Sequence, residues 1–300
     1  MSGGFIVTAQ SSFLQLNSIF ISILIEAIPF ILIGVILSGI IQMFVSEEMI
    51  ARIMPKNRFL AVLFGALAGI LFPACECGII PITRRLLLKG VPLHAGVAFM
   101  LTAPIINPIV LFSTFIAFGN RWSAVFYRGG LALAVSVIIG IILSYQFKDN
   151  QLLKPDEPGH HHHHHHTLLQ KLGGTLRHAI DEFFSVGKYL IIGAFIAAAM
   201  QTYVKTSTLL AIGQNDVSSS LVMMGLAFVL SLCSEVDAFI ASSFSSTFSL
   251  GSLIAFLVFG AMVDIKNLLM MLAAFKKRFV FLLITYIVVL VLAGSLLVKG

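Results

Sequence analysis

Long apolar runs alternate along this chain with short polar gaps, and two of the runs are broken by motifs that mix thiols, carboxylates and prolines. Runs of about 20 residues or more, enough to cross the hydrocarbon core of a bilayer, fall at roughly 16–45, 92–118, 122–146, 183–204, 250–274 and 279–298. The pattern predicts six complete transmembrane helices. Two further apolar stretches, 59–88 and about 219–248, are interrupted by FPACECGIIP (72–81) and LSLCSEVDAF (230–239), leaving limbs too short to span alone. In the first, the helix is expected to stop near Leu71 and restart around Gly78, because Pro73 has no backbone donor and Pro73 and Pro81 restrict the residues before them.

The same order of elements occurs twice. At an offset of 159, IPFILIGVILSGIIQMFV (28–45) lies over GKYLIIGAFIAAAMQTYV (187–204), matching Ile33, Gly34, Gln42 and Val45 to Ile192, Gly193, Gln201 and Val204. At an offset of 158 the two breaks align and Cys75 falls over Cys233. Duplication is the reading this supports, with a first transmembrane repeat at 1–147, a linker at 148–177 and a second repeat at 178–300. If both broken stretches turn back within the membrane, each half has three full spans, an odd number, and the second half is inverted. One face then receives thirteen Lys and Arg, among them Arg58, Arg84, Arg85, Lys89, the linker group and Lys276 to Arg278. The other face receives four, Arg121, Arg128, Lys205 and Lys299. The positive-inside rule thus predicts re-entrant hairpins, an outside N-terminus and a cytoplasmic linker in a multi-pass, bacterial-type cell membrane protein.

Composition agrees with the class: 58% hydrophobic, 11% charged and 26 phenylalanines, with a mean hydropathy of +1.01, lie outside the soluble range. The opening residues lack the basic start and cleavage site of a removable signal peptide, so the first span is expected to stay. Trp122 beside Arg121 reads as an interfacial anchor. The run His160 to His166 reads as an engineered tag inside the linker, which removes it from any metal-site argument and leaves His94 and His178.

The breaks carry the chemistry. Backbone exposed at membrane depth is tolerated only where protein or a wet cavity satisfies it, and paired interruptions of inverted repeats are where such transporters bind substrate. Cys75, Glu76 and Cys77 from one half and Cys233, Glu235 and Asp237 from the other offer three soft sulfurs and three carboxylates. Three thiolates suit a trivalent metalloid or soft metal, and sulfur with carboxylate admits zinc, so Cys75, Cys77 and Cys233 are the candidate metal ligands. The alternative for the cysteines is plain packing, but a carboxylate at bilayer depth costs a few kcal/mol and calls for a cation, a proton or a cavity. Restarting half-helix N-termini would favour a thiolate at Cys77 or Cys233.

A second constellation interrupts the following span, where Thr102, Pro104, Asn107 and Pro108 either free carbonyls that line a pathway or kink the helix for packing. Its counterpart holds Asp264, Lys266 and Asn267, with Lys266 over Asn107. Asp264 and Lys266, two apart, are expected to face different sides of one helix and to need partners elsewhere. Glu26 is either a proton carrier or an interfacial residue. Lys188 either snorkels or neutralises a carboxylate of the second hairpin. Asp181 and Glu182 read as acids at a helix N-terminus, and Gly34, Gly39, Gly65 and Gly69 as packing glycines.

FPACECGIIP, the RRLLLKG after it and LTAPIINP resemble the predicted permease family that includes the ArsP organoarsenical efflux permeases, over nearly the whole chain apart from the tag. The resemblance implies an inner-membrane permease for a metal or metalloid species, with the cysteine elbow as its marked motif. It falls on Pro73, Cys75, Glu76, Cys77, Gly78, Pro81, Thr102, Pro104, Asn107 and Pro108, of which Pro73, Gly78, Pro81, Pro104 and Pro108 are the expected hinges. No loop resembles an ATP-binding phosphate cradle, so coupling is expected to be secondary. The expected class is therefore an all-α polytopic permease rather than an enzyme, with no resident cofactor. Its expected partners are the bilayer, a small inorganic or organometalloid substrate, and an accessory membrane protein or a second copy, with no nucleic acid. The competing readings are a thiol-disulfide relay through the three cysteines, for which an odd set is awkward, and a membrane subunit serving a partner.

Overall fold

The computed structural model describes residues 2–72, 75–147, 151–153, 168–203 and 215–298. It is all-helical, and among the described residues there is no strand. The first half runs α1 (Ser2–Phe44), α2 (Glu47–Ile53), α3 (Arg58–Ala68) with a 3-10 turn (Gly69–Leu71), α4 (Glu76–Leu88), α5 (Leu93–Thr102), α6 (Pro108–Ala117) and α7 (Trp122–Gln146). The second runs α8 (Leu168–Tyr203), α9 (Asp216–Leu230), α10 (Asp237–Ser243), α11 (Leu250–Met262), α12 (Ile265–Ala274) and α13 (Lys277–Ser295). Leaving aside α2, which has no counterpart among the described residues, both halves run in one order: a long helix, a helix, an elbow, a short helix, an interrupted pair and a closing helix. Within the stretch 148–177, α8 begins at Leu168, and the histidine run lies outside the described residues.

Among the described residues, five stretches are long and apolar enough to cross a membrane: Ser12–Phe44, Trp122–Gln146, Ala179–Tyr203, Leu250–Ala274 and Lys277–Ser295. The expected continuous span at 92–118 is instead two ten-residue helices, α5 and α6. Its break is built by the residues between: Pro104 ends α5, and Asn107 caps α6 by accepting a hydrogen bond from Ile109 N (2.9 Å), with Pro108 at the first helical position, where a missing donor costs nothing. The counterpart at 250–274 breaks at Val263 and Asp264, whose carboxylate accepts from Asn267 N (2.6 Å) to start α12. Asp264, not Lys266, is thus the structural equivalent of Asn107, a two-residue drift from the sequence register.

The elbow of the first half also departs from expectation. Pro73 lies outside the described residues, but α4 restarts at Glu76 rather than Gly78 and runs through Pro81 without stopping. Pro81, the sixth residue of α4, supplies no donor to the Cys77 carbonyl four residues earlier. At 11 and 13 residues, α3 and α4 rise about 16 and 20 Å, well short of a 30 Å hydrocarbon core. The second return limb, α10, has only 7 residues.

Small residues bring the halves together. The long helices α1 and α8 pack on each other, α1 on α4 and α8 on α12. A Cβ on Gly34 would stand 2.6 Å from the Gly78 carbonyl oxygen, and one on Gly193 would stand 2.9 Å from the Lys266 Cα, so both contacts are backbone-close. Those glycines are the pair that the repeat superposes. The elbow limb of each half packs on the interrupted helix of the other, α4 against α12 and α10 against α6. Leu250–Ala274 is the most enclosed span, 83% of its apolar window buried against 28–39% in the other four, and it forms the centre of the bundle.

Candidate functional site

The two elbows meet inside the bundle. Cys75 is the N-cap of α4, and its carbonyl accepts from Gly78 N and Ile79 N, which fixes Glu76 and Cys77 in the first turn. In the second half Ser231 closes α9 with a left-handed backbone (φ +46°), a conformation disfavoured for a residue with a Cβ. Its hydroxyl accepts from Ile265 N (3.2 Å), tying this elbow to the start of α12. The strained turn swings Cys233 and Ser234 inward, and the Cys233 carbonyl is then capped by Val236 N and Asp237 N.

Cys75, Cys77 and Cys233 are all buried and unpaired as disulfides. The Cys77 and Cys233 thiols each lie within interaction range of the Cys75 thiol. The Cys233 thiol donates to Glu235 Oε2 at 2.6 Å, and Glu26 of α1 also reaches it. Among the described residues no group of three or more His, Cys, Asp or Glu side chains is already arranged as a metal cage. The sulfurs are gathered, but the carboxylates nearest Cys233 engage its thiol as hydrogen-bond partners.

Around the thiols runs a buried ionic network. Ser234 Oγ donates to Glu76 Oε2 (3.0 Å), so the residues that the repeat offset of 158 superposes touch each other. Lys266 Nζ lies 3.4 Å from Asp264 Oδ2 and 4.0 Å from Glu76 Oε1. This corrects the expectation that Asp264 and Lys266 face apart: Asp264 is an N-cap with extended backbone (φ −133°, ψ 178°), so helical spacing does not apply to the pair. A second pair lies beside the first, where Arg128 Nη2 donates to Asp237 Oδ2 (2.8 Å) and to the Ser234 carbonyl (3.2 Å), and Nη1 donates to Thr114 Oγ1 (2.7 Å).

Arg128 corrects the charge count. The sequence places it at an outer face, whereas it is 0% exposed on the second turn of α7 and serves as the counter-ion of Asp237. Lys188, offered as a partner for the second hairpin, is exposed and stands over the Tyr189 ring (5.1 Å). Glu182 is likewise not a helix-start acid. Because α8 begins at Leu168, Glu182 is well inside it and accepts from Ser38 Oγ (2.6 Å) and Arg85 Nη2 (2.8 Å), with Arg84 at 3.8 Å. Arg85 also donates to Gln42 Oε1 (3.4 Å), linking α4 to α1 and α8.

Of the residues flagged in the sequence, Cys75, Glu76, Cys77, Cys233, Glu235, Asp264 and Lys266 come together, with Asp237 adjacent through Ser234 and Arg128. Thr102 and Asn107 do not face the cluster as ligands: Thr102 Oγ1 donates to the Ala66 and Ala98 carbonyls (2.9 and 2.8 Å), locking α5 to α3, and Asn107 caps α6. Arg128, Ser234, Ser231 and Glu182 were missed. Only Ser234, one residue beyond Cys233 and aligned with Glu76, carried a signal in the sequence. An almost wholly apolar groove of about 490 Å³ between α6 and α7, lined by Phe112, Phe115, Trp122 and Phe126, is separate from the cluster.

Paired broken helices that enclose thiols and ion-paired carboxylates in a bundle of membrane-length helices define a polytopic membrane protein of the permease class. The chain belongs to the ArsP-type family described as "Predicted permease", whose model matches residues 12–300. It is 97% identical over 294 residues, 98% of this chain and 100% of the other, to the UPF0718 protein YcgR of Bacillus subtilis. It is 49% identical over 271 residues, 90% of each chain, to a Streptococcus mutans protein named as a subunit of a two-component membrane permease complex. A UPF0718 protein of Methanocaldococcus jannaschii is 22% identical over 139 residues, 46% of this chain and 38% of its own. No solved structure matches the chain.

Proposed function

We propose that the protein is a secondary transporter of a soft metal cation or thiol-seeking metalloid species, bound between the elbows of two inverted repeats. The observation that carries this reading is the buried meeting of Cys75 and Cys77 with Cys233, with carboxylates contributed by both halves. Glu26, Glu76 and Asp264 surround one ammonium, Lys266, with Glu235 beside Cys233, while Arg128 and Asp237 neutralise each other. The acid excess favours a cation, and the sulfurs favour a soft one.

Inversion is supported by geometry at the axis that such repeats require. Equivalent residues meet there, Cys75 with Cys233 and Glu76 with Ser234, and the long helices use equivalent glycines to approach the site. A re-entrant first hairpin is supported by Arg85, which returns the end of α4 to Ser38 and Gln42 near the end of α1, the level from which α2 and α3 depart. With the basic loops on the inside, the N-terminus is outside and the linker cytoplasmic. A thiol-disulfide relay is disfavoured because the Cys233 thiol is engaged by Glu235.

The test is maleimide labelling of the purified chain with and without Cd²⁺. Protection of all three thiols is expected; labelling indifferent to Cd²⁺ would remove the soft-cation site. A second reading, a subunit that works with a partner, is favoured by the name of the Streptococcus mutans relative. Cd²⁺ protection that appears only when a co-expressed membrane protein is retained through purification would assign the site to such a complex.

A further inference from the structure

The Lys266 ammonium is held where its own helix opposes it. Lys266 is the second residue of α12, at the positive end of the helix dipole, and its Cα is pressed against Gly193 of α8. What keeps a buried positive charge there is the pair of carboxylates from two different halves, Glu76 Oε1 at 4.0 Å and Asp264 Oδ2 at 3.4 Å. Both oxygens are buried and accept no hydrogen bond. Their other oxygens are committed, Glu76 Oε2 to Ser234 Oγ and Asp264 Oδ1 to Asn267 N. Two carboxylate oxygens thus converge on one loosely held ammonium, with the thiols of Cys77 and Cys233 alongside.

We propose that Glu76 Oε1 and Asp264 Oδ2 form a cation site that the Lys266 ammonium fills when substrate is absent, so that an entering cation binds by displacing a cation tethered to the protein. The inference rests on the transport reading and deepens it by naming the competitor. One lysine leaves the two carboxylates with an excess negative charge, which a divalent cation matches better. Lysine suits the role because its ammonium is a point charge on a flexible four-carbon stem, which can leave without moving α12. Glu26, which also feels the Lys266 charge and is half-exposed, offers the displaced ammonium a second perch. The device returns a cation to the carboxylates after release, neutralising one of the two charges without a second dissolved ion.

The experiment compares Lys266→Met and Lys266→Arg with the parent by thermal stabilisation of the purified chain against Cd²⁺ and, separately, against Ca²⁺. Removing the competitor is expected to lower the Cd²⁺ midpoint about tenfold in Lys266→Met, the effect of an unopposed carboxylate pair, while Lys266→Arg stays near the parent. If Cd²⁺ protects the parent thiols but Lys266→Met binds it no more tightly, the tether is overturned and the soft-cation reading stands. If neither protein binds Cd²⁺ but Lys266→Met acquires Ca²⁺ binding, the tether stands and the soft-cation reading falls. Binding of neither ion to either protein overturns the tether. Should Lys266→Met not fold, the double variant Lys266→Met/Asp264→Asn against Asp264→Asn makes the same comparison with one carboxylate, since Asn keeps the cap.

Discussion

At Arg128 a full positive charge lies out of reach of solvent, held by Thr114, the Ser234 carbonyl and Asp237. Replacing it with Met leaves the Asp237 carboxylate buried without a counter-ion, and breaking one side of a buried pair costs about 3–5 kcal/mol. Arg128→Met should therefore melt well below the parent, and Arg128→Met/Asp237→Leu should recover much of the loss; equal melting of single and double variants would show that the pair does not hold the second elbow. The thiols behave differently. Cys75→Ser and Cys77→Ser keep size but replace a soft ionisable ligand with a hard neutral one. Each is expected to leave the melting temperature within a few degrees of the parent while Cd²⁺ protection at the remaining thiols is lost. The sulfurs were legible from sequence because thiols and carboxylates in a proline-broken apolar stretch have few bland explanations. Arg128 was not: an arginine near a span's end looks like a loop charge, and its partner lies 109 positions away.

Among the elements, α1 and α4 depend on the absence of a side chain. A Cβ at Gly34 would sit 2.6 Å from backbone, the Gly78 carbonyl, which has no rotamer to move. Gly34→Val should push α4 away from α1, costing about 1–3 kcal/mol as overpacking does, and should raise the reactivity of Cys75 and Cys77 toward maleimide; unchanged melting and labelling would show that the contact is slack. Breaks were easier to find than to register. Prolines announce the interruption at 103–107, but hydropathy is continuous across 92–118 and conceals the break. The restart of α4 falls at Glu76, two residues before the expected Gly78, because the Cys75 carbonyl already accepts from Gly78 N and Ile79 N. Asp264 and Lys266 were judged by helical spacing, although Asp264 precedes the helix that it caps.

Over the whole molecule, the all-helical, polytopic class and most of the element order are legible in hydropathy, whereas the packing of α4 on α12 and of α10 on α6 required the tertiary structure. The topology has a direct check. Single cysteines placed near Arg58 and near Lys89, in a background with the native thiols changed to serine, should label from the same side of sealed vesicles, and labelling from opposite sides would exclude a re-entrant first hairpin. The central claim, that the two elbows form one path for a soft cation, is tested most directly by Cd²⁺ flux into liposomes holding the purified chain and an enclosed fluorescent indicator. The account predicts flux in the parent and its loss in folded Cys75→Ser, Cys77→Ser and Glu76→Gln proteins; flux in those variants equal to the parent's would contradict it.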